Sequence, residues 1–274
     1  MSPQKQVIVH GAFDDLRSGH LRFIEEASRF GDVTVALWSD EMIRSISGQS
    51  PKFPLAERSY FLNAVRYVAR VLAWSGAAEV NALPMLEGLE PQVWVDVEPL
   101  ANSVRETYCR RRGMEYCVLP PQQMDGFPAP PAMPSTPGRK KVIVTGCYDW
   151  FHTGHVRFCE EVSAYGDLYV AIGNDRNIQL LKGAGHPLLS EAERCYVVGS
   201  IKYVKQALIS SGEGWLDADP EIQWLKPDIY AVNEDGDKGG KRDYCAKRGI
   251  EYLVLKRTPA PGLQIRSSTD LRGF

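Results

Sequence analysis

Two histidines, His152 and His155, stand three residues apart in the string GCYDWFHTGH, with Gly154 between them. Imidazoles so spaced at the start of a helix can address one phosphate together, because the glycine removes the bulk that would separate them. Gly146, at the head of the string, permits a tight turn and a close approach of ligand to backbone. A helix beginning near Thr153 adds unpaired N–H groups, which form an anion site. The alternatives at this level are a pair of metal ligands or two core histidines. A second group of the same bias closes the chain. In QIRSSTDLR, Ser267, Ser268 and Thr269 offer hydroxyls suited to capping a final helix, and Arg266 and Arg272 offer planar donors that match phosphate oxygens.

These groups need a frame to hold them. VIVTG, directly before the histidine string, is apolar on successive positions and predicts a strand covered on both faces, as do LYVAIG, IYAVN and EYLVL. Helices are predicted between them over 154–165, 191–201 and 241–248, with Ser190 and Glu193 spaced as a capping box. Strand and helix in alternation predict a parallel, doubly wound α/β sheet, in which ligands bind beyond the carboxyl ends of the strands. The histidine string falls at that edge.

The pattern occurs twice. GAFDDLRSGHLRF, from Gly11 to Phe23, echoes GCYDWFHTGHVRF, from Gly146 to Phe158, and the echo continues through Gly31-Asp32 on Gly166-Asp167 and LAERSY on EAERCY. Two Rossmann-like domains in tandem are therefore expected, over 1–120 and 139–274. Between them, 121–138 is rich in proline and small residues and reads as an extended tether. The first copy has Arg17 where the second has His152, Ser47 where the second has Lys182, and no counterpart of RSSTDLR. Each change removes phosphate chemistry and leaves the frame, so the first copy is expected to be inactive.

GCYDWFHTGH together with RSSTDLR resembles the HxGH nucleotidyltransferase superfamily, which includes the glycerol-3-phosphate, choline-phosphate and ethanolamine-phosphate cytidylyltransferases. The resemblance spans Lys141 to Arg272 and, in degraded form, the first copy. It implies attack by a substrate phosphate on the α-phosphorus of a nucleoside triphosphate, with release of pyrophosphate and with Mg2+ on the leaving group. By the same resemblance His152, His155 and Lys182 are catalytic. Gly146, Cys147, Tyr148, Asp149, Gly154, Arg194, Arg257, Ser267, Ser268, Thr269 and Arg272 bind the nucleotide. Asp149 is a candidate metal ligand or a brace for the turn. CTP is the expected triphosphate, with a small phosphorylated or phosphonylated metabolite as acceptor, and the alternative is an adenylyltransferase using ATP on a sugar phosphate. The segment RTPAPG departs from the family's RTEG, and NEDGD, from Asn233 to Asp237, could line the pocket. A tandem arrangement in this family implies a pseudo-dimer within one chain. A non-catalytic nucleotide-binding regulator is the reading from another class.

Composition bounds the rest. A formal charge of −2 gives no reason to expect nucleic acid, and no apolar run approaches the roughly 20 residues of a membrane helix. A cytoplasmic location is the default expectation. The six cysteines form no CxxC pair and read as reduced thiols. His186, in a loop beside Pro187, reads as structural.

Overall fold

The computed structural model describes residues 5–75, 81–83, 89–129, 133–268 and 271. The chain divides into two compact units, Met1–Gly126 and Phe127–Phe274. Unit 1 runs β1 (Gln6–Gly11), α1 (Ser18–Ser28), β2 (Asp32–Trp38), α2 (Asp40–Ser47), α3 (Leu55–Asn63), β3 (Val68–Trp74), β4 (Val93–Val97), α4 (Ser103–Arg111) and β5 (Glu115–Leu119). Among the described residues, unit 2 repeats the order with one added helix: β6 (Lys141–Gly146), α5 (Thr153–Ser163), β7 (Asp167–Ile172), α6 (Asp175–Lys182), α7 (Glu191–Gly199), β8 (Val204–Ile209), α8 (Asp219–Leu225), β9 (Ile229–Asn233), α9 (Lys241–Arg248) and β10 (Glu251–Leu255).

Each unit holds one five-stranded parallel sheet, in the orders β3-β2-β1-β4-β5 and β10-β9-β6-β7-β8. The first strand of each unit is central, and the winding reverses beside it, between β1 and β4 and between β6 and β9. That reversal opens a crevice at the carboxyl ends. The central strands are buried on both faces, with Val7, Ile8 and Val9 in one unit and Val142, Ile143 and Val144 in the other. Even the irregularities repeat: the pairing of second and third strands slips between Val33 and Thr34 and, at the equivalent place, between Leu168 and Tyr169.

Several features depart from the sequence reading. Strand β8 and helices α6 and α8 were not expected. VKQALI is half-buried along an edge, so it lacks the continuous apolar signature of a central strand. The tether is shorter than expected at its start: Pro121–Met124 forms a 3-10 turn against α1, where Arg22 donates to the Gln123 carbonyl at 2.9 Å. It is also anchored at its end, where Thr136 donates to the Asp167 carboxylate from its N–H at 2.6 Å and from its hydroxyl at 3.0 Å. Ser190 caps α7 as expected, accepting from Glu193 N–H at 3.3 Å. The expected terminal helix falls largely outside the described residues; within them, Leu271 N–H donates to the Ser267 carbonyl at 3.3 Å.

The repeated Gly-Asp pair has a steric cause. A Cβ on Gly31 would lie 2.1 Å from the Lys5 carbonyl oxygen, and one on Gly166 would lie 2.2 Å from that of Lys140. In both units the following Asp N–H donates to that same carbonyl, at 2.9 and 2.8 Å. Gly166→Ala is therefore expected to force this return apart and destabilise unit 2 by about 2 kcal/mol or more, measured by denaturant unfolding.

Candidate active site

Beyond the carboxyl ends of β6 and β9 lies a cavity of about 320 Å³. Its walls come from four places: the end of β6 and its turn (Thr145 to Tyr148), the first turns of α5, the loop after β9, and the tail. Among the expected residues, Gly146, Cys147, Tyr148, His152, Gly154, His155, Arg257, Ser267 and Ser268 line it together.

His152 is the N-cap of α5, and its Nδ1 accepts the Gly154 N–H at 3.0 Å. The Nδ1 of His155 in turn accepts the His152 N–H at 3.3 Å, and the two rings lie 4.1 Å apart. An imidazole whose Nδ1 accepts from an amide carries its proton on Nε2 when neutral. Both rings are thus set as Nε2–H donors. His155 is stacked on Phe151 at 5.3 Å and meets the Tyr148 ring edge-on at 5.3 Å. Burial in this aromatic cage holds its pKa well below the ordinary 6.5, helped by the nearby His152 and Arg257. Two glycines are required by this packing: a Cβ on Gly154 would lie 2.8 Å from the His152 ring, and one on Gly146 would lie 2.8 Å from the Tyr148 ring. Tyr148 itself sits in the left-handed region at φ 55°.

The tail is drawn in by Arg257. Its Nη2 donates to the Arg266 carbonyl at 2.6 Å and its Nη1 to Asp235 at 2.8 Å. Ser268 donates from Oγ to the Trp150 carbonyl at 3.2 Å, so the hydroxyl run lies against the histidine turn. Thr269 and Arg272 lie outside the described residues.

Three expected site residues are placed elsewhere. Arg194 is fully buried and spends its donors on the protein: Nε on the Leu189 carbonyl at 3.0 Å, Nη1 on that of Cys147 at 2.6 Å, and Nη2 on the Gly173 carbonyl and Asp175, both at 2.7 Å. It ties the β6 turn to the end of β7 and the loop before α7, and does not line the cavity. Asp149 likewise holds that loop, accepting from Leu188 N–H at 2.7 Å and Leu189 N–H at 3.0 Å, with His186 Nδ1 at 3.7 Å from its second oxygen. In this structure Asp149 braces the turn through Oδ1. Lys182 ends α6 on an exposed surface away from the lining. Among the described residues no group of three or more His, Cys, Asp or Glu could hold a metal.

Five lining residues were missed, Thr145, Phe158, Ala231, Val232 and Lys241, and the last of them carries a charge. Lys241 opens α9, donates to the Gly236 carbonyl at 3.1 Å and is lowered in pKa chiefly by burial. Asn233, Asp235 and Gly236 of the NEDGD string line the cavity beside it. The signal available was positional, since the segment follows the strand that borders the reversal of winding.

A glycine-framed helix start, two imidazoles set as Nε2–H donors and a converging lysine, arginine and hydroxyl pair meet in one cavity at the carboxyl edge of a parallel α/β sheet. The profile of the cytidylyltransferase-like family matches residues 143–271. The chain is 33% identical over 135 residues to the FAD synthase of Ferroglobus placidus (strain DSM 10642 / AEDII12DO), covering 48% of this chain and 85% of that protein. It is 30% identical over 136 residues to the bifunctional protein HldE of Geotalea uraniireducens (strain Rf4), covering 49% of this chain and 26% of that protein. A solved lipopolysaccharide core biosynthesis protein from Thermoplasma volcanium GSS1 aligns at 22% identity and a TM-score of 0.37, over 45% of this chain and 99% of that one. The chain belongs to the cytidylyltransferase-like family of nucleotidyltransferases. No helix among the described residues is long and apolar enough to cross a membrane.

Two outcomes are expected. Arg194→Met removes a buried cation that satisfies three carbonyls and a carboxylate, and should cost about 3 kcal/mol or more in denaturant unfolding. The second concerns pH. The unfolded chain takes up a proton at His155 near the ordinary 6.5, and the folded chain resists it, so stability is present above that value and lost as pH falls below it. The thermal midpoint should drop between about pH 7.5 and about pH 5.5 more steeply in the wild type than in His155→Gln.

Proposed function

We propose that unit 2 transfers a cytidylyl group from CTP to a small phosphorylated or phosphonylated metabolite. An acceptor phosphate oxygen attacks the α-phosphorus, the bond from that phosphorus to the bridging oxygen of the β-phosphate breaks, and pyrophosphate leaves. The observation that carries this reading is the paired imidazole donors at the start of α5, facing one cavity with Ser267, Ser268 and Arg257. A phosphate monoester with its second pKa near about 6 is already largely a dianion at neutral pH, so no strong general base is needed. Positioning and charge stabilisation remain for the protein to supply. His152 and His155 donate Nε2–H bonds to oxygens on which charge develops. Ser267 and Ser268 hold the outer phosphates, and Arg257 keeps that segment against the histidines. Mg2+ arriving on the triphosphate would neutralise the leaving pyrophosphate, with Ser267 and Ser268 holding the phosphates that carry it. A cytoplasmic location and Lys182 as a further cation, brought in by the glycine-flanked segment after α6, belong to the same proposal.

ATP is the second reading. It is favoured by a relative named for FAD synthesis, of which this chain covers 85%. Pyrophosphate release, measured with CTP, ATP, GTP and UTP and magnesium against a panel of small phosphates, distinguishes the two. Release should appear with one triphosphate and one acceptor, and should fall about 10²–10³-fold in His152→Ala and in His155→Ala. His20→Ala, in unit 1, should leave it nearly unchanged. Equal damage from His20→Ala would overturn the assignment of the chemistry to unit 2, and triphosphate binding without release across the panel would favour a regulator.

A further inference from the structure

Unit 1 keeps a crevice where unit 2 has its cavity, at the carboxyl ends of its central strands. It measures about 920 Å³, nearly three times the volume in unit 2. Two fillers have gone. In unit 2 the His152 ring lies 2.8 Å, and the Arg266 carbonyl oxygen of the tail 3.5 Å, from the Cβ position of Gly154. At the equivalent Gly19, nothing lies within 4 Å. Arg17, which replaces His152, pairs with Asp15 at 2.8 Å, and Arg105 at the crevice wall pairs with the buried carboxylate of Asp96.

The charge has changed with the shape. The cationic side chains about the crevice are paired with carboxylates within the unit, Arg17 and Lys52 with Asp15, Arg58 with Asp40 and Arg105 with Asp96. The imidazoles of His10 and His20 are pushed below their ordinary pKa chiefly by burial. Asp14 adds a carboxylate to the lining, holding Lys52 N–H at 2.6 Å and Phe53 N–H at 2.9 Å. A triphosphate would meet repulsion here where unit 2 offers donors. What the lining offers is rings and apolar carbon: Phe13, His20, Phe23 and Trp38, closed by Leu100 and Met124. Asn102 Oδ1 accepts the Arg105 N–H at 2.8 Å and its Nδ2 donates to Asn81 Oδ1 at 3.0 Å, so the pair offers amide N–H donors to ring nitrogens and carbonyls. His10, only 7% exposed, lines the same space; its Nδ1 accepts from Trp38 at 3.2 Å, and its Nε2 makes no hydrogen bond among the described residues, Asp96 being 3.7 Å away.

We propose that this crevice is a second binding site, which takes a neutral, planar heteroaromatic ring system and rejects the triphosphate bound by unit 2. Flat rings stack on its aromatic wall, and their polar edges meet the asparagines. The duplicated unit has thus exchanged phosphate recognition for ring recognition at the same edge of the same sheet.

Three uncharged probes test it on the full chain: adenosine, cytidine and riboflavin, followed by calorimetry and by quenching of Trp38 fluorescence. At least one should bind at or below millimolar concentration. Gly19→Leu fills the crevice from a position where a side chain meets nothing, and should weaken that probe about tenfold or more without changing the thermal midpoint or pyrophosphate release. Leu100→Asp, at an exposed rim position, should weaken it too and covers the case in which Gly19→Leu does not fold. His152→Ala should leave probe binding intact. The proposal is overturned if none of the three probes binds, if binding survives both crevice variants, if it is lost with His152→Ala, or if ATP or CTP displaces the probe from this crevice more effectively than the free nucleoside.

Discussion

The arrangement at the cleft depends on one buried guanidinium. Arg194 carries a full charge at no measurable exposure, a placement tolerated only when its donors find acceptors. It finds three carbonyls and a carboxylate from three separate segments, so the cost of misplacing any of them is high. The turn between β6 and α5 is thereby fixed at Cys147. Asp149 acts with opposite polarity two residues on, accepting two amides from the loop before α7. Between these anchors the chain can sustain the left-handed Tyr148, and the Tyr148 ring then closes one side of the cage around His155.

Duplication separates this frame from its chemistry. Arg58 repeats the bonds of Arg194, to Phe53, Ala12 and Trp38 carbonyls and to Asp40. Asp14 repeats Asp149, and Phe13 repeats the left-handed Tyr148 at φ 43°. Buried polar groups of this kind cannot change singly without leaving a partner unsatisfied, which resists their replacement. The copies diverge instead outside this network: Arg17 stands against His152, Ser47 against Lys182, and the first copy has no RSSTDLR string.

This division also explains what could be read from the chain. Strands covered on both faces write themselves as apolar runs, so the parallel sheets and the place of the histidines at their edge were legible. The edge strand β8 was not, because half-burial leaves VKQALI mixed. His152, His155, Ser267 and Ser268 were legible as a group, and the structure brings them to one cavity. Arg194 was misread: an arginine on a helix near an anion site resembles a ligand donor, and only the three-dimensional positions of three backbone carbonyls reveal where its donors are used. Lys241 escaped for the converse reason. It follows an irregular loop without periodicity, and only sheet order brings it beside the cleft.

The histidine pair shows why frame and chemistry meet at one point. The Nδ1 lone pair of His152 caps α5 through Gly154, and that of His155 accepts the His152 amide. Protonating either Nδ1 would break a cap, so helix geometry and the choice of tautomer are the same constraint. A hydrogen-bond donor poised at Nε2 is the by-product of holding the helix start together. In unit 1 the second half of this device persists, with His20 Nδ1 accepting the Arg17 N–H at 3.1 Å. His20 therefore owes its place to the cap it makes. Position 17 carries instead an arginine that pairs with Asp15, so unit 1 has the cap without the second imidazole.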